Sequence, residues 1–353
     1  MSNIVILGGG YGGLTLVNEL IEEKLPSDTR IQLIDRMPFQ GLKTEYYALA
    51  AGTSSDLDIR VEYPKHPQLE IVHGEVTGIS PTDRSVTFAG RDPLSYDYLV
   101  LALGCTDNYH GIDGAAEFAC SIQSLAATRK TYQMLNNTAP YGQVSIIGGG
   151  LSGVEVAAEL RESRPDLNIR IVDRGPSVMS GFPGKLQSFV ADWFREHNVE
   201  MLSHITTTSI GEGVIHTATG DIASDVTVWT AGIQPVELIQ RLEYAKDKAG
   251  RLVVNEYHEL PDAPNVFVIG DCSSQPFSPS AQLAQAQGKQ VAHVLSARLH
   301  GKGIHLPKIK LRGTLGSLGK KSGFGIMGHT PIMGRVPRML KSGVLWKSRR
   351  HFG

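Results

Sequence analysis

Residues 4–13 read Ile-Val-Ile-Leu-Gly-Gly-Gly-Tyr-Gly-Gly, and few folds accept such a stretch. Four apolar, mostly β-branched residues predict a buried parallel strand. Gly8, Gly10 and Gly13 then fall in the spacing G-x-G-x-x-G, and the amphipathic run from Leu14 to Leu25 predicts a helix. Each glycine has its own reason: a tight turn at Gly8, close approach of a pyrophosphate at Gly10, and helix-on-strand packing at Gly13. The helix N-terminus presents free N–H groups and the positive end of its dipole to phosphate. Ile31 to Ile34 reads as a second strand, and Asp35 stands at its end, 27 residues past Gly8 and placed for a ribose hydroxyl. The stretch therefore predicts a dinucleotide-binding unit.

The pattern occurs twice. Residues 144–153, Val-Ser-Ile-Ile-Gly-Gly-Gly-Leu-Ser-Gly, put Gly148, Gly150 and Gly153 in the same spacing, ahead of a helix expected over Val154 to Glu162. Ile169 to Val172 is again a strand that ends at an acid, Asp173. Each copy continues to a strand that stops at a glycine: Tyr98 to Leu103 at Gly104, and Thr227 to Thr230 at Ala231-Gly232. The glycine-to-acid separations are 27 and 25 residues, and the glycine-to-glycine separations 96 and 84. Tandem copies of one unit predict two bound dinucleotides, whose natural use is electron transfer between them. Val266 to Ile269 is a further strand, followed by Gly270-Asp271 and a helix from Ser280 to Leu299. A carboxylate at the carboxyl end of a strand suits a ligand crevice.

At 353 residues the chain calls for two domains. No run of about 18 apolar residues predicts a membrane span. The first strand begins at the fourth residue with no leader pattern before it, so a cytoplasmic protein is expected. Cys105, Cys120 and Cys272, with no C-x-x-C, fit a reducing compartment, and neither they nor the 12 histidines form a metal-like motif. The net charge of −1 hides an asymmetry. The last 82 residues hold 14 of the 34 Lys and Arg and no acid, so residues 1–271 carry −15. Such a basic end predicts an anionic surface partner, phospholipid head groups foremost. No nucleic-acid-binding motif accompanies it.

Together these pieces resemble the flavoproteins with two dinucleotide-binding domains, the fold of glutathione reductase, over nearly the whole chain. Within that fold the chain looks most like the type II NADH dehydrogenases. Four stretches carry the likeness: Gly-Gly-Gly-Tyr-Gly-Gly at 8–13, Gly-Gly-Gly-Leu-Ser-Gly-Val-Glu-Val-Ala-Ala-Glu-Leu at 148–160, Val-Trp-Thr-Ala-Gly-Ile at 228–233, and Ala-Gln-Leu-Ala-Gln-Ala-Gln-Gly at 281–288. The last resembles the family's quinone-site pattern A-Q-x-A-x-Q-Q-G, with Ala286 in place of the first paired glutamine.

The resemblance implies an α/β protein with two Rossmann-like FAD/NAD(P)-binding domains, one nested in the other. Residues 1–111 and 245–310 would form the FAD domain, 112–244 the NAD(H) domain, and 311–353 a short C-terminal segment. The implied cofactors are FAD at the first glycine loop and NADH at the second. NADPH is less favoured, because the Asp173 carboxylate repels a 2′-phosphate. The implied cofactor-binding set is Gly8, Gly10, Tyr11, Gly12, Gly13, Asp35, Arg36, Gly104, Gly148, Gly150, Ser152, Gly153, Asp173, Gly232, Gly270, Asp271, Ala281 and Gln282.

The implied reaction takes hydride from NADH into FAD and passes two electrons to a membrane quinone without pumping protons. Glu155 would approach the nicotinamide and flavin and handle a proton. Its place near a helix start favours its charged form. Gln282 and Gln287 would donate to a quinone carbonyl. No cysteine lies between Gly41 and Gly52, where a disulfide reductase keeps its pair, so electrons leave directly for a diffusible acceptor. Arg335 to Phe352, apolar residues mixed with six Lys and Arg, would contact the inner face of the membrane. Cys272 reads as a small buried residue. Three alternatives stay open: a soluble reductase serving a ferredoxin- or rubredoxin-type protein, a sulfide:quinone oxidoreductase, for which the spacing of Cys105, Cys120 and Cys272 supplies no obvious redox pair, and a flavin redox sensor with slow turnover. A homodimer is also compatible.

Overall fold

The computed structural model describes residues 2–351, with only the course of the backbone from residue 347 onward. Phe352, the last residue of the expected membrane-contacting stretch, lies outside the described residues.

Strand Ser2–Leu7 pairs in parallel with Thr29–Asp35 on one side and Tyr98–Leu101 on the other, setting Ile4 against both Ile31 and Tyr98. The sheet runs Leu69–His73, Thr29–Asp35, Ser2–Leu7, Tyr98–Leu101, Ala263–Val268 and Glu259–Leu260. Both faces are covered, which explains the unbroken apolar run. Ile4 and Ile6 pack with Leu14, Leu16 and Leu20 of helix Tyr11–Glu22 and with Val291 and Leu295 of helix Ala281–Leu299. Val5 and Leu7 face a separate core with Leu99, Leu101, Val266 and Val268. The two helices cross through glycine: a Cβ on Gly288 would lie 2.5 Å from the Gly12 carbonyl oxygen. The last glycine of the 281–288 stretch is thus a packing requirement.

The second sheet repeats the first four strands in the same order. It runs Val199–Leu202, Asn168–Val172, Gln143–Ile147 and Val226–Trp229, then adds Ala119–Ser121. The antiparallel insertions repeat as well, Val76–Ser80 to Arg91–Ser95 in one half and Thr207–Gly211 to Gly220–Ala223 in the other. Between the halves, Cys105–Asp107 pairs antiparallel with Ile233–Pro235. The helices begin earlier than the apolar periodicity indicates, at Tyr11 and Leu151, because glycine or serine at the second and third positions of each first turn breaks the apolar pattern.

The C-terminal region holds a sheet that the sequence reading did not foresee. Gly313–Leu318, Ser322–Met327 and Thr330–Gly334 form an antiparallel meander, followed directly by helix Arg335–His351. That helix runs through Pro337, which sits in the first turn, where a backbone N–H has no intrahelical acceptor to lose. Exposed Val336, Met339, Leu340, Val344 and Trp346 fall within an arc of about 160° at the helical period, whereas Arg338, Lys341 and Leu345 take the opposite, inward side. Among the described residues no helix is long and apolar enough to cross a membrane.

Candidate active site

The two glycine loops are built alike. Gly8 and Gly148 have φ of +103° and +107°, a backbone that side chains resist. A Cβ on Gly13 would come 1.9 Å from the Gly8 carbonyl oxygen, and one on Gly153 would come 2.0 Å from that of Gly148. At Gly10 and Gly150 no atom lies within 4 Å of the same point, so each loop has an open cradle where close approach of a phosphate was expected. Both residues begin their helices with no side-chain cap, leaving first-turn N–H groups for an anion. These residues fit a dinucleotide at each loop.

Each strand-end acid does more than await a ribose. Asp35 accepts from the N–H of Gly9 (2.7 Å) and of Met37 (2.8 Å). Asp173 accepts from the N–H of Gly149 (2.5 Å) and of Gly175 (2.6 Å). Both carboxylates therefore buckle the glycine loop to the second strand, and their remaining lone pairs are what a ribose hydroxyl could use. Tyr11 donates or accepts at Thr44 Oγ1 (2.7 Å), tying residues 43–45 to the first loop, and burial pushes its phenol up to about 12. Arg36 points to solvent and meets Glu75 at 3.9 Å, and Ser152 is exposed on the first turn of its helix.

Gly104, Gly232 and Gly270 all take positive φ where their strands end. Asp271 accepts from the Cys105 thiol at 3.0 Å, and burial pushes that thiol up to about 12, so it stays protonated. Cys272 is fully buried and donates to the Gly104 carbonyl (3.2 Å), as a small core residue should. One expectation is corrected here. Gln287 is fully buried, accepts from the Gly270 N–H (2.7 Å) and donates to Ser273 Oγ (3.3 Å), so its amide holds the Gly270-Asp271 turn against the helix and is not available to a quinone. Gln282 remains half-buried one turn earlier, beside Ala281. Its Oε1 accepts from the Arg312 N–H (2.7 Å), and its amide N–H₂ has no partner among the described residues.

Glu155 lies in the second turn of helix Leu151–Ser163, too far along to serve the helix dipole, and its charge is met from elsewhere. Lys341, on the inward face of the C-terminal helix, pairs with Glu155 Oε1, the two side chains being 12% and 7% exposed. Lys341 also donates to the Tyr47 hydroxyl (2.7 Å) and stands 4.3 Å over its ring. Ser317 closes the group, its N–H donating to Glu155 (3.0 Å) and its hydroxyl lying 3.1 Å from that of Tyr47. Glu45, also buried, faces Lys341, Arg338, Glu155 and Glu159, and burial pushes its carboxyl up to about 7. Glu159 accepts from the Thr53 hydroxyl at 2.5 Å. Lys341, Tyr47 and Ser317 were missed by the sequence reading, and 186 residues separate Lys341 from Glu155. No local motif joins them.

A family model described as pyridine nucleotide-disulphide oxidoreductase matches residues 2–288. The chain belongs to that family. It is an NAD(P)H-dependent flavin oxidoreductase of α/β fold with two nucleotide-binding halves. NADH dehydrogenase-like protein YutJ of Bacillus subtilis (strain 168) is 48% identical over 355 residues, covering all of both chains. A type II NADH:quinone oxidoreductase of Staphylococcus epidermidis is 26% identical over 373 residues, covering 96% of this chain and 92% of its own. Among solved structures, NDH2 from Plasmodium falciparum in complex with NADH aligns with a TM-score of 0.85 at 18% identity, over 99% of this chain and 96% of that one. The sulfide:quinone oxidoreductase of Aquifex aeolicus aligns at 0.83 and 20%, over 99% and 92%. The chain departs from the disulphide in the family's description: all three cysteines are free and buried, and the stretch from Gly41 to Gly52 carries Tyr46 and Tyr47 and no cysteine.

Proposed function

We propose that the protein is an FAD-dependent NADH dehydrogenase that delivers two electrons to a quinone-like acceptor without pumping protons. The observation that carries this reading is the pair of duplicated cradles, each buckled by its own carboxylate, in a chain with no cysteine between Gly41 and Gly52. FAD, when bound at the first loop, would supply the ring that accepts hydride from the nicotinamide. The division of strands between the two sheets supports an FAD domain of residues 1–111 and 245–310 around an NAD(H) domain of 112–244. Asp173 beside the second loop favours NADH over NADPH.

The chain's own residues serve binding, position and proton supply. Reduction of a quinone by NADH consumes one proton beyond the hydride. Tyr47 Oη, Lys341 Nζ and Glu155 Oε1 form a buried chain of donors and acceptors from the C-terminal helix to the helix of the second loop. We assign it to supply of that proton, with Glu155 as the terminal group. Gln282, whose amide hydrogens have no partner among the described residues, is the better of the two predicted glutamines for an acceptor carbonyl. The outward apolar face of Arg335–His351, set in a region without acids, supports docking on an anionic membrane from the inner side.

Steady-state turnover with NADH tests the reading, comparing a short-chain quinone with ferredoxin- and rubredoxin-type proteins. Faster quinone reduction is expected, with Glu155→Gln lowering quinone turnover more than flavin reduction by NADH. Preference for a protein acceptor would give the soluble-reductase reading, and slow turnover with all of them the sensor reading.

A further inference from the structure

The spacing G-x-G-x-x-G does not require Gly9, yet a side chain at that position would have to displace a neighbour. A Cβ there would lie 2.1 Å from the hydroxyl oxygen of Tyr63 and 2.6 Å from its Cζ. Tyr63 follows strand Arg60–Glu62, is 9% exposed, and belongs to the core beneath the first glycine loop. Its hydroxyl is buried and makes no hydrogen bond among the described residues. Buried hydroxyls are nearly always paired, and leaving one unpaired is costly. Burial and the nearby Asp35 carboxylate raise the phenol, so the group keeps its proton and is a donor without an acceptor.

The second loop supplies the comparison. It matches the first in φ, in the glycine-to-carbonyl contact, in the open cradle and in the carboxylate buckle. The corresponding neighbour differs. A Cβ on Gly149 would meet Val178 Cγ1 at 3.1 Å and Asp173 Oδ2 at 3.2 Å, with no tyrosine present. An apolar side chain thus stands against one loop and an unsatisfied phenolic donor against the other. The difference between the copies is an unpaired hydrogen-bond donor standing against Gly9 in the loop expected to keep its cofactor through turnover.

We propose that the Tyr63 hydroxyl is a ligand of the flavin cofactor, donating to an oxygen of the ribose–diphosphate portion of the dinucleotide seated at the first glycine loop. The bond helps hold that dinucleotide in place, while the nicotinamide at the second loop, which lacks such a donor, exchanges freely. This inference rests on the reading of the first cradle as the FAD site.

Tyr63→Phe removes the hydroxyl and keeps the ring that packs against Gly9. Flavin-loaded protein is diluted, and released FAD is followed by its fluorescence. Separately, FAD is titrated onto the stripped protein. The variant should release FAD about tenfold faster or more and bind it correspondingly more weakly, the scale for one hydrogen bond to a charged or strongly polar acceptor. Its KM for NADH should not change. The stripped variant should unfold at the same temperature as stripped wild type or higher, since it has lost an unpaired buried group. Equal FAD retention by the two proteins overturns the proposal. So does a fall in the melting temperature of the stripped variant that matches its loss of FAD, because the hydroxyl would then serve the fold. Wild-type protein that retains no FAD would instead overturn the reading of the first cradle, whatever Tyr63 does.

Discussion

Lys341→Met tests whether the C-terminal helix is fastened to the site by its buried ion pair. Methionine keeps the length and apolar stem of the side chain while removing its charge. With Lys341 and Glu155 at 12% and 7% exposed, the pair belongs to the buried class, in which removing one partner costs about 3–5 kcal/mol. Glu155 would keep two donors from Ser317, the N–H at 3.0 Å and the hydroxyl at 3.3 Å, so the low end of that range applies. A local loss of about 3 kcal/mol raises the open population roughly 150-fold. Hydrogen exchange followed by mass spectrometry should show faster exchange of that order in helix Arg335–His351 and strand Gly313–Leu318, with little change in strand Ser2–Leu7. Adding Glu155→Gln should restore most of the protection, since a neutral amide no longer needs a cation. Unchanged exchange in the helix and strand after Lys341→Met would refute the fastening.

Three further outcomes follow from particular contacts. Gly153→Ala should raise the KM for NADH tenfold or more and leave flavin content intact, because the new methyl meets the Gly148 carbonyl and spoils only the second cradle; parallel kinetics and flavin spectra check this. Asp173→Ala should lower kcat/KM for NADH more than for NADPH, and a larger loss with NADPH would contradict the role given to this carboxylate. Glu45 titrates near 7 when folded and near the ordinary carboxylate value, about 4.5, when unfolded. Its contribution to stability is therefore fully present below about 4.5 and lost as pH rises through 7. Glu45→Gln should flatten the fall in melting temperature over that interval, measured against wild type in matched buffers.

The first glycine loop, its repeat and both strand-end acids were legible because each is local: the strand, turn, helix and acid lie within about 30 residues and each obeys a steric or electrostatic rule. The C-terminal sheet was not legible, for a physical reason. Its strands read Gly-Thr-Leu-Gly-Ser-Leu and Ser-Gly-Phe-Gly-Ile-Met, with glycine where β-formers are expected. Those glycines answer to packing that only the fold reveals. A Cβ on Gly316 would strike the Phe324 ring at 2.4 Å, and one on Gly325 the Thr314 carbonyl at 2.3 Å. The second glutamine failed differently: a motif match places Gln287 on the right helix, but the periodicity alone does not say that its side chain turns inward to the Gly270 turn. Lys341 looked like one more charge in a basic tail, and its partner on a remote helix makes it a member of the site.

The central claim is that reducing equivalents cross from a nicotinamide at the second loop to a flavin at the first and leave for a quinone. Its most direct test is the visible absorption spectrum of the purified protein under anaerobic conditions. The account predicts a yellow protein whose flavin band bleaches on adding stoichiometric NADH and returns on adding a short-chain quinone. A colourless protein that takes up no FAD, or a flavin band that NADH leaves unchanged, would contradict it.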